Sequence, residues 1–235
     1  MKNKLVSLDT SRSFQLKKEL AFSTRFSVKF IEDLNKVLSG KTIVFLGGPA
    51  AGKGTKIAAL ELLGLKFQSL STGDALRSAV KAKTIDGLNA DAYMHRGENV
   101  PDEIVNRIVV DFLKANGEVA VFLDGYPREV EQARFLMEKR GEIFVIDIRV
   151  SLDTALMQAE MRRNEYLLAG KIPRTDGEVV TVRKRYGDYK VFRADLTNLF
   201  NEQQLGNNIQ ICDADHRDLS RSVDDIIKLL ATWFM

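Results

Sequence analysis

Thr42-Ile43-Val44-Phe45-Leu46 runs directly into Gly47-Gly48-Pro49-Ala50-Ala51-Gly52-Lys53-Gly54-Thr55. The first five residues are a short β-branched and apolar run, which reads as a buried strand. The glycine-rich turn follows, and Lys53–Leu63 then reads as a helix. Gly-x4-Gly-Lys is the spacing of a phosphate-binding loop. Small residues are needed there because successive backbone N–H groups must converge on phosphate oxygens. The N-terminus of the next helix adds donors and a favourable dipole. Lys53 reaches the outer phosphates as a mobile point charge. One detail departs from the general motif: Gly54 follows the lysine, and Thr55 comes one residue later. A chance glycine-rich turn is the bland reading, and strand, helix and lysine spacing together argue against it.

Outward from this loop, four more apolar runs repeat the pattern: Leu65–Leu70, Val119–Leu123, Ile143–Val150 and Ile209–Cys212. Each pair is separated by enough helix-forming sequence for a crossover. The expected fold is α/β, a five-stranded parallel sheet with helices on both faces. The gap from Ser71 to Glu118 is long and helical in character. Arg163–Asp188 is polar and basic, carries Pro173 and three glycines, and reads as an excursion from the sheet.

Residues 1–41 precede the first strand. Phe22, Phe26, Phe30, Leu34 and Leu38 fall at four-residue spacing, on one helical face. A helix docked on the chain's own core is the first reading. A membrane-surface or partner helix and an organellar transit peptide are the others, with Asp9 and Glu19 counting against the last.

The whole chain has 235 residues, 45% of them hydrophobic and 29% charged. One domain with inserted subdomains is the default at that size. No apolar run approaches the ~20 residues of a transmembrane helix. The single cysteine, Cys212, excludes an internal disulfide framework and a multi-cysteine zinc site, and points to a reducing compartment. The net charge is +3. Residues 1–41 hold nine basic and four acidic side chains, so the rest of the chain is slightly negative. A nucleic-acid reading of the main body is therefore weak.

Further motifs follow the strands. Ser71-Thr72-Gly73-Asp74-Ala75-Leu76-Arg77 can cap a helix and aim an arginine one turn in. Asp124-Gly125-Tyr126-Pro127-Arg128 places an acid at the end of a buried strand, suited to magnesium or its waters. Gly125 and Pro127 give a fixed turn that aims Arg128.

The Gly-Lys-Gly-Thr ending and these ordered motifs resemble the nucleoside monophosphate kinase family, and within it the adenylate kinases, over about residues 42–235. The resemblance implies a P-loop kinase core, an AMP-binding insertion at 71–101 and a short lid at 163–188, behind a basic amphipathic extension at 1–41. It implies transfer of a phosphoryl group from MgATP to AMP, giving two ADP. Gly47, Ala50, Ala51, Gly52, Lys53, Gly54 and Thr55 would hold ATP, with Gln158, Arg162 and His216. Thr72, Gly73, Arg77, Glu98, Asn99, Val100, Gly125, Tyr126, Arg128 and Gln132 would hold AMP, with Arg174 and Arg185. Lys53, Arg128, Arg162, Arg174 and Arg185 would be catalytic, and Asp124 would hold Mg2+ through water. Gly97 to Pro101 looks like the loop that covers the AMP base. Thr72 and Gln132 resemble the AMP-specific branch rather than the UMP/CMP branch. Asp176 and Thr181 also match the lid, which is too short and cysteine-poor for a zinc site.

Four positions depart from the family. Ala50 replaces a usual glycine, at a cost of roughly 1 kcal/mol if its φ is positive. Gln158 stands where an arginine commonly packs on the donor base, and Gly177 and Val180 replace acids of the lid. The expected partners are ATP and AMP or ADP, with no nucleic acid and no membrane span, in a cytoplasmic monomer; an organelle is the alternative if 1–41 is a targeting segment. The rival readings are a kinase for another monophosphate, such as UMP or CMP, and a nucleotide-binding pseudoenzyme acting through its N-terminal helix.

Overall fold

The structure is a computed structural model and describes residues 26–96, 98–173 and 177–235. Five strands are parallel throughout: β1 Thr42–Gly47, β2 Gln68–Ser71, β3 Val121–Asp124, β4 Phe144–Arg149 and β5 Ile209–Asp213. Their spatial order is β2-β3-β1-β4-β5, so the loop after β1 opens at the centre of the sheet. Open parallel sheets bind ligands beyond the carboxyl ends of such strands.

Alternation along the strands divides the core in two. Ile43, Phe45, Phe122, Phe144, Ile146 and Ile148 join one buried cluster. Val44, Leu46, Val121, Leu123, Ile143 and Val145 join the other, on the opposite face. Helices cover both faces, which is why the central strands carry apolar side chains on both of them. The helices described are α1 Val28–Leu38, α2 Lys53–Leu62, α3 Thr72–Lys81, α4 Ile85–His95, α5 Asp102–Ala115, α6 Val130–Arg140, α7 Leu152–Leu168, α8 Val179–Glu202 and α9 Leu219–Phe234.

Two strands lie later than the apolar runs predict. Leu65 and Phe67 precede β2: Leu65 bonds back to the Leu60 carbonyl at the end of α2, and Phe67 stacks on Phe122 with ring centroids 4.0 Å apart. They fill the core beneath the sheet edge instead of pairing in it. Val119 is 41% exposed, and β3 begins only at Val121, where pairing with Gln68 and Thr42 starts.

The excursion expected over 163–188 is mostly helical. Helix α7 continues to Leu168 and α8 begins at Val179. Residues 71–115 form α3, α4 and α5, joined by short connections. Gly87 lets α4 press against α3, because a Cβ there would overlap the Ala79 carbonyl. In α1, Ser27 caps the Phe30 N–H at 3.2 Å, and Ile31, Leu34 and Leu38 are buried in the first core cluster. Asn35 ties α1 to the turn after α2 through Gly64 and Lys66. Phe22 lies outside the described residues. No described helix is long and apolar enough to cross a membrane.

Candidate active site

The loop after β1 is shaped by three residues with positive φ: Gly47 at 152°, Ala50 at 56° and Gly52 at 74°. A side chain at Gly47 would put its Cβ 2.7 Å from the Ile148 carbonyl oxygen on the neighbouring strand. Ala50 occupies the left-handed region that its replacement of glycine predicts to be strained. Gly52 caps α2, and by helix geometry the first N–H groups of α2 have no partner within the helix. A helix opened in this way is an anion site. Beneath it, the buried Lys56 donates to the Ala51 carbonyl at 3.2 Å.

Helix α8 braces the loop from above. The Tyr186 ring lies 3.0 Å from where a Gly48 Cβ would stand, and its hydroxyl donates to the Val150 carbonyl at 2.8 Å. One turn on, Tyr189 donates to Asp147 at 2.6 Å, and Arg149 donates to the other carboxylate oxygen at 2.7 Å. Asp147 is fully buried on β4, and these two bonds satisfy it. Burial and the Asp147 charge push the Tyr189 phenol above its ordinary range.

One cleft runs along the loop and across to α3, α7 and α8. It is lined by residues 49–55 and by Asp74, Arg77, Asp124, Arg128, Gln158, Arg162 and Arg185. Lys53 donates to the Gly47 and Gly48 carbonyls at 2.9 and 3.1 Å and lies 3.9 Å from Asp124. Burial holds its ammonium below the usual lysine range. Asp124 opposes that shift, whereas Arg128, Arg185 and Lys56 reinforce it. Such a cluster of cations is costly in a cleft unless an anion joins it. Asp74 pairs with Arg77 across one turn of α3.

A second pocket opens beside the cleft. Thr72, Gly73, Arg77, Glu98, Asn99, Val100, Gly125, Arg128, Gln132 and Arg185 line it, with apolar walls from Leu76, Met94 and Val105. Thr72 donates to the Gly125 carbonyl at 2.9 Å and is buried. Gly125 has φ 81°, and a Cβ there would stand 3.0 Å from the Thr72 hydroxyl and 3.2 Å from Arg128. Arg128 donates through Nε to the Gly125 carbonyl at 2.9 Å, so its guanidinium is aimed by its own turn. Asn99 donates to Glu129 at 2.9 Å, and Glu98 pairs with Arg96 at 2.8 Å.

The structure therefore gathers most of the residues singled out from the sequence. Arg174 and Asp176 lie outside the described residues, as does Gly97. His216 lines none of these cavities: its Nδ1 accepts the Asp218 N–H at 3.0 Å, and its Nε2 is buried without a hydrogen bond. Tyr126 lies under the pocket rather than in its wall, 1% exposed, with its hydroxyl donating to Asn106 at 2.6 Å. Burial pushes that phenol well above its ordinary range. The sequence reading missed Tyr186, Tyr189 and Asp147, and it missed Asp102 and Asn106 on α5. Their only signal is spacing, Tyr186 three residues before Tyr189 and Asp102 four before Asn106, which puts each pair on one helical face.

Among the described residues, no three His, Cys, Asp or Glu side chains converge on a metal-sized point. Asp124 offers one carboxylate at the loop's mouth, with Gly54 close by: a Cβ on Gly54 would stand 3.7 Å from it. A single carboxylate beside a phosphate cradle suits Mg2+, which keeps water and phosphate oxygens as its other ligands.

Strand, glycine loop, helix and an arginine-lined cleft define a P-loop nucleotide phosphotransferase. The family model described as "Adenylate kinase" matches residues 45–205. An adenylate kinase of Agrobacterium fabrum (strain C58) is 39% identical over 68% of this chain and 85% of its own. One from Beijerinckia indica subsp. indica is 35% identical over 79% of this chain and 98% of its own. One from Rhizobium meliloti (strain 1021) is 40% identical over 66% of this chain and 83% of its own. The chain belongs to the adenylate kinase family. Its reaction is phosphoryl transfer between ATP and AMP.

Proposed function

We propose that the donor phosphates sit on residues 47–55 and the AMP in the pocket walled by Thr72, Val100 and Gln132. The observation that carries this reading is a shared wall. Arg77, Arg128 and Arg185 line both the cleft and the pocket. Phosphates entering from the two sides meet at these three guanidinium groups.

Transfer then needs little covalent help. An AMP phosphate oxygen, already anionic, attacks the γ-phosphorus of ATP, and the bond from that phosphorus to the β–γ bridging oxygen breaks. No base is required. Lys53, Arg128, Arg162, Arg174 and Arg185 hold the oxygens in line and neutralise the charge that builds on them. Arg77 fixes the acceptor phosphate, exchanging part of its pairing with Asp74. Thr72, Gly73, Glu98, Asn99, Val100 and Gln132 seat the base, with Tyr126 setting the turn beneath it. Gln158, which lines the cleft, borders the donor base, and His216, which does not line it, is given no contact. Asp124 would hold Mg2+ through water, and the ion would supply charge neutralisation on the donor phosphates. Residues 71–101 act as the AMP-binding insertion, and residues 163–188 act as the lid that excludes water.

The one cysteine, buried and reduced, is consistent with a cytoplasmic protein. ADP formation from ATP and AMP tests the assignment. Lys53→Ala or Arg128→Ala abolishes it, and near-normal turnover in both variants contradicts it.

A further inference from the structure

Gln132 is 2% exposed and its amide is held at both ends. Its Oε1 accepts the backbone N–H of Arg128 at 2.8 Å, and its Nε2 donates to Asp102 Oδ1 at 2.6 Å. A carboxylate only accepts and a backbone N–H only donates. Turning the amide over would oppose oxygen to oxygen and N–H to N–H. The partners therefore fix its orientation, and one N–H and one oxygen lone pair remain for a ligand.

We propose that Asp102 sets the acceptor-base preference by fixing which way the Gln132 amide faces. A 6-aminopurine presents an exocyclic N–H donor beside an acceptor ring nitrogen. A 6-oxopurine presents the reverse, an acceptor oxygen beside a ring N–H. The phosphate end of the nucleotide is seated by Arg77 and Arg128, so the base cannot turn over to suit. A fixed amide then matches one pattern and opposes the other, and a mismatched buried polar pair is strongly rejected. Asp102 does this through Gln132 and is a positioning residue. Its helix steadies the same segment a second time: Asn106, one turn on, accepts the Tyr126 hydroxyl, which lies 3.3 Å from the Gln132 carbonyl. The inference rests on the reading of Gln132 as a base-contacting residue.

Steady-state kinetics with AMP and with IMP test it in wild type, Asp102→Ala, Asp102→Asn and Gln132→Ala. In Asp102→Ala the KM for AMP rises about ten-fold, as for the loss of one charge-assisted hydrogen bond. The preference for AMP over IMP falls, and the KM for ATP stays as in wild type. Asp102→Asn keeps an acceptor oxygen and recovers most of the preference, which a purely structural role of the charge in the first turn of α5 would not produce. If Asp102→Ala fails to fold, Asp102→Ser keeps a polar first-turn residue too short to reach Gln132 and carries the same expectation. An unchanged preference in the Ala or Ser variant, with the preference lost in Gln132→Ala, overturns the role of Asp102 alone. An unchanged preference in Gln132→Ala overturns the base-contact reading beneath it.

Discussion

Replacing Gly47 by alanine separates two costs that the phosphate loop imposes on its first residue. At φ 152° the backbone is in a region that L residues rarely adopt, and holding alanine there costs about 1–3 kcal/mol. The new Cβ also stands 2.7 Å from the Ile148 carbonyl oxygen. Gly47 and Ile148 are register partners across β1 and β4, so neither backbone can swing aside. Opening that contact by several tenths of an ångström adds about 1 kcal/mol or more. Together these come to about 3 kcal/mol, or a fall in Tm of roughly 6–12 °C for a chain of this size. Gly40 is the control: its φ is 72° and a Cβ there meets nothing within 4 Å. Gly40→Ala carries the conformational term alone, about 1 kcal/mol and roughly 2–4 °C. Calorimetry with and without ATP reads both. ATP at a hundred times its Kd stabilises a fold by about 2.7 kcal/mol. Gly40→Ala should keep that gain, and Gly47→Ala should lose much of it because the loop itself moves. Equal Tm values for the two variants, or an undiminished ATP shift in Gly47→Ala, would refute the reasoning.

Lys53→Met keeps the length of the side chain and should leave far-UV circular dichroism unchanged, while kcat falls at least ~100-fold for loss of charge-assisted bonds worth about 1.5–3 kcal/mol each. Burial holds the Lys53 pKa below its unfolded value, so between the two values the unfolded chain binds more protons and stability rises with pH. The Tm of wild type relative to Lys53→Met should therefore improve as pH climbs towards lysine's ordinary value of about 10.4, and a flat difference contradicts the shift. Burial pushes the Cys212 thiol up to about 11, which leaves roughly one thiolate in a thousand at pH 8. A thiol reagent should be inert towards native protein and react fully in denaturant; rapid native labelling contradicts this burial.

The sheet and the phosphate loop were legible because both rest on local rules. β-Branched runs, Gly-x4-Gly-Lys and an acid at a strand end each carry their meaning in a few residues. Positive φ at Ala50 was legible for the same reason. The shifts in β2 and β3 were not, since Leu65 and Phe67 look like strand residues until the core they fill is known. Helix α7 runs past Arg163 into the stretch read as an excursion because Glu165, Leu167 and Leu168 are good helix formers. His216 was placed on the donor side by the family resemblance alone, and only three dimensions show its ring turned to Asp218. Asp102, Asn106, Tyr186 and Tyr189 were illegible for a different reason. Each acts across the fold on a residue 20 to 42 positions away, as in the bonds from Tyr126 to Asn106 and from Tyr189 to Asp147. Sequence spacing carries no sign of such pairings.

The most direct test of the central claim is the initial rate of ADP formation from MgATP with AMP, UMP, CMP and GMP offered separately. Two ADP should form for each ATP consumed with AMP, and kcat/KM for AMP should be at least about ten-fold above that for every other acceptor, as expected when a buried amide reads one base. Tight ATP binding without turnover on any acceptor, or a preference for UMP or CMP, would contradict it.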